Sequence, residues 1–476
     1  MKSYRAFLAL RSDLENQILT LPQVVDHYLQ NIQKNNDLNA FVEVFAEEAK
    51  REAQRIQQKI ISGKAGKLAG MVIGIKDNIC YRDHGVSACS KMLKNYISPY
   101  SATVVERLLV EDAIIIGRLN CDEFAMGASN ESSYYGPVKN AFDRTRVSGG
   151  SSGGSAVAVQ ADLCFAALGT DTGGSVRQPA AFCGIVGLKP SYGRISRHGI
   201  LSYASSFDQV GTLTKSVEDA ALLLEIMAGR DQYDSTSSRL PVSPYSDMLK
   251  SKGKKKIAYF IEALQAKSLD EEVRISFQYH INQLQKEGHI VEPISFDYLD
   301  YLVPTYYILT MAEASSNLAR YDGIRYGYRS AHAMDLESTY KRSRTEGFGI
   351  EVKRRILLGT FILSAGYYEA YYTKAQQVRR LIRNKTEHIL AHYDFIMLPT
   401  APTPAFPLEE KSKDPVVNYL ADIFTVQASL VGVPAISLPA GTSKEGLPLG
   451  LQFLTKYFSE EDLLAFAKKI TNEKRE

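Results

Sequence analysis

Residues 147–191 read VSGGSSGGSAVAVQADLCFAALGTDTGGSVRQPAAFCGIVGLKPS. Two glycine–serine knots, at 148–155 and 173–175, stand on either side of a mostly apolar run, 156–168. Glycine permits positive φ and close approach of backbone to a ligand, and serine contributes hydroxyls. The apolar run predicts a buried element that fixes the two knots relative to each other. Rigidly held serines beside exposed backbone N–H groups are parts for acyl-transfer chemistry.

Other readings of the stretch are weaker. Glycine–serine composition suits a flexible linker, but the apolar run follows without a polar spacer. The pattern G-x-x-x-x-G-K-[ST] occurs nowhere in the chain, which speaks against a phosphate cradle. Gly149-Gly150-Ser151-Ser152-Gly153 formally fits G-x-S-x-G, the nucleophile elbow, which needs a strand immediately before it. The preceding AFDRTRV is polar and charged, so the fit is formal only.

Working outward, the chain has 476 residues, 45% hydrophobic and 23% charged, the balance of an ordinary globular protein. Length alone suggests about three domains. No proline-rich or low-complexity linker divides the chain, and it is read as one domain. Its parts are N-terminal helices (1–65), a core (66–240), a helical elaboration (241–395) and a return to the sheet (396–476). The net charge of +3 makes no electrostatic case for nucleic acid. Five cysteines, with no C-x-x-C pair, predict reduced buried thiols and no structural zinc or other metal. The first 20 residues are broken by Arg5, Arg11, Asp13 and Glu15, so they read as neither signal peptide nor membrane span. A soluble cytoplasmic protein is expected.

Hydrophobic spacing predicts helices at 21–34 and 41–61, then a break at 63–66. Residues 71–75 read as a strand running into Lys76-Asp77-Asn78. A helix at 102–109 and a strand at 113–116 closed by Gly117 follow. Strand and helix patterns then alternate to about Ala228, which argues for a mixed or parallel sheet flanked by helices. Further on, the pattern predicts a strand at 257–261 and helices over 270–290, 312–345 and 350–392. Strands at 395–398, 435–438 and 449–454 and a helix at 460–471 complete the reading.

A serine nucleophile needs a base, most often histidine. Only His198 lies near the glycine–serine region in sequence, and its arginine and glycine neighbours suggest a surface turn. Lys76 is the other candidate. It ends an apolar strand, where burial would lower its pKa and make the neutral amine available. Alternatively, Lys76 reaches the surface and pairs with Asp77.

These residues resemble the amidase signature family. Its motif G-G-S-S-G-G-S stands at 149–155, and D-x-G-G-S-[IV]-R-x-P is present from Asp171 to Pro179. Its lysine strand is Gly70-Met71-Val72-Ile73-Gly74-Ile75-Lys76-Asp77, with Val72 where many members have proline. The resemblance implies an α/β amidase signature fold, with a mixed β-sheet core flanked by helices on both faces. It also implies a Ser–Ser–Lys triad: Ser175 as nucleophile, Ser151 as bridging serine after a cis peptide bond, and Lys76 as base. The N–H groups of Thr172, Gly173, Gly174 and Ser175 would form the oxyanion hole.

Later blocks extend the resemblance over the chain. They include DEFAMG (122–127), YGRISRHGILSYASSFDQVG (192–211), EASSNLARYDGIRYG (313–327), EGFGIEVKRRILLGTF (346–361), YLAD (419–422) and PLGLQF (448–453). They are similar to the branch of the family that serves as glutaminase (A) subunits of glutamyl-tRNA(Gln)/aspartyl-tRNA(Asn) amidotransferases. That resemblance implies Arg355 and Asp422, with Tyr306 nearby, as the groups that hold the α-carboxylate and α-amino group of glutamine. It implies B and C subunits as partners, misacylated tRNA met through the complex, and ATP and Mg used by the partner with no cofactor in this chain. A stand-alone amidase acting on a small amide is the alternative, and a non-catalytic scaffold is disfavoured by the intact Lys76, Ser151 and Ser175.

Overall fold

The computed structural model describes residues 2–410 and 419–472. The helices α1 (Phe7–Glu15) and α2 (Leu21–Lys34) come first. A capping box closes the start of α2: Thr20 Oγ1 accepts from Gln23 N while the Gln23 side chain accepts from Thr20 N. The expected helix at 41–61 is two elements, strand β1 (Phe41–Val44) and helix α3 (Ala46–Ile61). Helical spacing of buried residues begins only at Ala49. Before it, β1 pairs antiparallel with β3 (Ile114–Leu119). β3 does not stop at Gly117. The carbonyl of Glu43 lies 2.4 Å from where a Cβ would sit on that residue, so the missing side chain admits the neighbouring strand.

Strand β2 (Val72–Lys76) lies parallel to β3, and α4 (Thr103–Val110) connects them. The apolar run 156–168 is not one element. It divides into α5 (Gly153–Gln160) and β4 (Ala166–Asp171), with Asp162 at φ 56 in the turn between. Next come α6 (Arg177–Phe182), β5 (Val186–Lys189), β6 (Gln209–Thr214) and α7 (Val217–Met227).

The middle of the chain holds β7 (Lys256–Phe260), α8 (Ile261–Gln265), α9 (Glu271–Lys286) and β8 (Ile290–Ile294). Helices α10 (Leu299–Asn317), α11 (Leu336–Gly347), α12 (Ile350–Ile362) and α13 (Lys374–His392) follow. The long helices expected over 312–345 and 350–392 are thus each broken. Gly323 and Gly327 in the first break, and Gly366 in the second, have positive φ. The chain then adds β9 (Phe395–Pro399), α14 (Val426–Val431), β10 (Ala435–Thr442), β11 (Pro448–Leu454) and α15 (Glu460–Asn472).

All eleven strands join one mixed sheet in the order β1-β3-β2-β4-β6-β5-β10-β11-β9-β7-β8. β2, β3, β4, β5, β6 and β9 are buried at every residue. Successive strand residues point to opposite faces, so both faces of the central sheet are covered. The adjacent strands β2 and β4 carry Lys76 and Asp171 at their C-terminal ends, and these two positions seed the site. All five cysteines are free and buried. Among the described residues no helix is long and apolar enough to cross a membrane.

Candidate active site

Lys76 is fully buried at the end of β2. Its Nζ lies 2.7 Å from Ser151 Oγ, 2.9 Å from Ser152 Oγ and 3.1 Å from Thr170 Oγ1. It does not pair with Asp77, which is held by Arg118 Nη1 at 2.7 Å and by the N–H groups of Ser87 and Cys89. Burial pushes the Lys76 ammonium below its ordinary pKa, against an opposing pull from Cys121, Asp122, Cys89 and Asp171. A buried amine on serine hydroxyls is poised to exchange a proton.

Ser151 begins the turn into α5, and the Gly150–Ser151 peptide bond is cis. Ser175 stands in the second knot. The Ser175 carbonyl accepts from Ser152 N at 3.1 Å, which ties one knot to the other. Among the described residues no hydrogen bond joins Ser151 Oγ to Ser175 Oγ. Catalytic hydrogen bonds are commonly long without substrate and tighten when it binds.

Asp171 organises the turn that carries Ser175. Its carboxylate accepts from Gly174 N at 2.9 Å and Val176 N at 3.2 Å, and from Arg177 Nη2 and Nε at 2.9 and 3.0 Å. Burial alone would raise its pKa, but Arg177 and the backbone donors hold it below the ordinary carboxylate range. One expected oxyanion donor is therefore already engaged, because the Gly174 N–H is given to Asp171. That residue has φ 139, and a Cβ on it would meet Thr425 Oγ1 at 2.2 Å. Only glycine fits there. Gly173 is equally crowded, with Tyr306 Oη 2.4 Å from its would-be Cβ, and its carbonyl accepts from Thr425 Oγ1 at 2.6 Å.

A cavity of about 680 Å³ opens beside this cluster. One side is lined by Asp122 and the segment Met126–Ser132, the other by Tyr307, Glu351, Arg355 and Tyr419. Arg355, on α12, is 4% exposed. Its Nε donates to Glu351 at 2.9 Å and its Nη1 to Tyr203 Oη at 2.8 Å. Its guanidinium lies over the rings of Tyr307, Tyr203 and Tyr419 at 5.3, 5.5 and 5.6 Å. Asp422 accepts from Tyr307 Oη at 2.7 Å. Burial pushes the Asp422 carboxyl up to about 6, although Tyr307 and Arg355 pull it down.

The structure thus brings Lys76 and Ser151 into contact, sets the Ser175 turn against Tyr306, and joins Arg355 to Asp422 through Tyr307. Tyr307, Thr425, Ser152 and Asp171 are site residues that the sequence alone does not single out. Tyr307 follows Tyr306 on α10, upstream of where helical spacing is recognisable. Its role emerges only where α10, α12 and the turn Leu420–Asp422 meet. His198 takes no part here; it stacks between Tyr100 and Tyr233 at 5.2 and 4.7 Å.

This fold, with this cluster, is that of an amide-cleaving hydrolase. The sequence profile of the Amidase family matches residues 23–464, and the chain belongs to the amidase signature family. The glutamyl-tRNA(Gln) amidotransferase A subunit of Prosthecochloris aestuarii is 49% identical over 476 residues, covering 98% of this chain and 99% of the relative. The protein of the same name from Chlorobium limicola is 50% identical over 468 residues, covering 97% and 98%. Among solved structures, the glutamyl-tRNA(Gln) amidotransferase A subunit of Thermotoga maritima is 38% identical with a TM-score of 0.77, covering 96% of this chain and 95% of the other. The peptide amidase of Stenotrophomonas maltophilia is 27% identical with a TM-score of 0.83, covering 98% and 96%.

Proposed function

We propose that this chain is the glutaminase subunit of a tRNA-dependent amidotransferase. The observation that carries the reading is the pairing of a Lys76–Ser151 contact with a cavity lined by a buried cation, Arg355, and by Tyr307, whose hydroxyl holds the buried acid Asp422 just behind the wall. An α-amino acid needs a cation for its carboxylate and an anion for its ammonium. Arg355 already spends Nε and Nη1 on Glu351 and Tyr203, which orients the guanidinium; among the described residues no protein acceptor takes Nη2.

In the proposed reaction Ser175 Oγ attacks the side-chain amide carbon of glutamine. Its proton passes through Ser151 to neutral Lys76. The oxyanion is met by the N–H groups of Thr172, Gly173 and Ser175, with the Gly174 N–H reserved for Asp171. Lys76 returns the proton through Ser151 to the amide nitrogen as the C–N bond breaks, and ammonia leaves. Water then hydrolyses the glutamyl ester. The ammonia serves partner subunits, a B subunit that activates a tRNA-bound carboxylate with ATP and Mg and a small C subunit, in the cytoplasm. The full-length likeness to A subunits supports this assembly. A stand-alone amidase shares the serines and lysine but has no need of the Arg355–Asp422 pair.

The test is Ser175→Ala in the assembled complex. Ammonia release from glutamine should fall by at least about 1000-fold, as befits loss of a nucleophile, with the complex intact. A glutamine analogue that traps the acyl-enzyme should label the peptide containing Ser175. Label on Ser151, or a near wild-type rate in the variant, rejects the assignment.

A further inference from the structure

We propose that Glu123 is a positioning residue that pins helix α12, and with it Arg355, to the loop on the opposite side of the cavity. The inference rests on the glutaminase reading above. Glu123 belongs to the DEFAMG block, whose two acids divide the work. The backbone N–H of Asp122 donates to the Ser151 carbonyl at 3.1 Å. Its carboxylate accepts from Asn130 N at 2.9 Å and from Ser132 Oγ at 2.7 Å, which shapes the cavity-lining loop. Glu123 points the other way. Both its oxygens accept from Gly349 N, at 3.1 and 2.9 Å, and Ser90 Oγ donates to Oε1 at 2.5 Å.

Gly349 is the residue before α12 and offers no side chain to cap that helix. Glu123 caps it from 226 residues away in sequence. A carboxylate at a helix N-terminus meets unpaired N–H groups and the positive end of the helix dipole. Glu123 is 3% exposed, and among the described residues no lysine or arginine forms an ion pair with it. Burial pushes its pKa up to about 7, opposed by the Ser90 and Gly349 donors and by Lys353. An acid kept in so costly a place without a cation is held there by those donors. Arg355 lies within the first two turns of the helix so capped. The contact therefore joins the Ser151 side of the site to the side that receives the glutamine carboxylate.

The test approaches the contact from both sides in the assembled complex. Glu123→Gln replaces one accepting oxygen with a donor. Gly349→Ala keeps an accessible backbone, φ −69, but its Cβ falls 2.3 Å from Glu123 Oε2 and displaces the carboxylate. Each variant should raise KM for glutamine about tenfold with kcat within about threefold, the signature of lost anchoring rather than lost chemistry. The double variant should be no worse than the worse single one, because both break the same contact. Unchanged KM in both variants, an equal fall in kcat, or multiplied effects in the double variant overturn the proposal. Should Glu123→Gln fail to fold, Gly349→Ala carries the KM test alone. A wild-type complex without Ser175-dependent glutaminase activity instead overturns the function on which the proposal rests.

Discussion

Lys76 shows what a single position can and cannot say in advance. Its place at the end of an apolar strand is legible, because a β-branched run followed by Lys-Asp-Asn marks a strand entering a loop. Its contacts are not, since they join β2 to a turn 75 residues away. Burial leaves the neutral amine within reach, and a base in this role must lose its proton. Lys76→Arg keeps the charge, but guanidinium does not deprotonate at working pH. The variant should lose at least about 100-fold in glutaminase rate, the lower range for a general base; steady-state ammonia release measures it, and substantial activity excludes the base role. Asp422 gives a second prediction. In the proposed role only its ionised form pairs with the substrate ammonium, and burial pushes its carboxyl up to about 6. Below that pH the free protein holds the neutral acid, so KM for glutamine should rise about tenfold per pH unit of further acidification. In Asp422→Asn, KM should be high and flat across the same range. A wild-type KM that is level from about pH 7 to about pH 5 contradicts the role.

At the scale of elements, sequence periodicity places β2, β3 and β9, which are buried on both faces and read as short apolar runs. It gives no bounds for β5 and β6 and does not separate β4 from α5, because one apolar run spans the turn between them. It misjudges 41–61, where a four-residue edge strand leads directly into a helix and both patterns share apolar residues. It also runs α10 and α11 together, and α12 and α13, because breaks set by positive φ at Gly323, Gly327 and Gly366 leave the surrounding spacing nearly intact. The crossing of α10 and α12 is beyond its reach, yet it builds one wall of the cavity: α10 brings Tyr307, and α12 brings Glu351 and Arg355. The helices meet at Gly359, where a Cβ would lie 1.9 Å from the Met311 carbonyl. Because the obstacle is backbone, the helices must part. Gly359→Ala should cost about 1–3 kcal/mol of stability, the usual range for overpacking. It should also raise KM for glutamine by displacing Arg355 from Tyr307. Thermal unfolding and glutamine titration test both; wild-type values in both would show the crossing to be compliant.

For the molecule as a whole, the two ends of the reaction have different dependencies. In the proposed function, release of ammonia belongs to this chain and use of ammonia to the partners. Arg355 and Asp422 touch neither the lysine nor the reacting serines by any hydrogen bond among the described residues, so they should act on glutamine alone. Losing a charge-assisted hydrogen bond costs about 1.5–3 kcal/mol, which corresponds to a loss of about 10- to 100-fold in kcat/KM. Arg355→Ala and Asp422→Ala should each show that loss with glutamine as donor. Free ammonia at high concentration bypasses the glutaminase, so ammonia-driven amidation of misacylated tRNA by the assembled complex should persist in both variants at the wild-type rate. The two rates, measured side by side, separate the readings. Unchanged glutamine use would return the chain to the stand-alone amidases that share its fold. Loss of the ammonia-driven rate as well would mean that the Arg355–Tyr307–Asp422 bridge holds the helices together rather than the substrate.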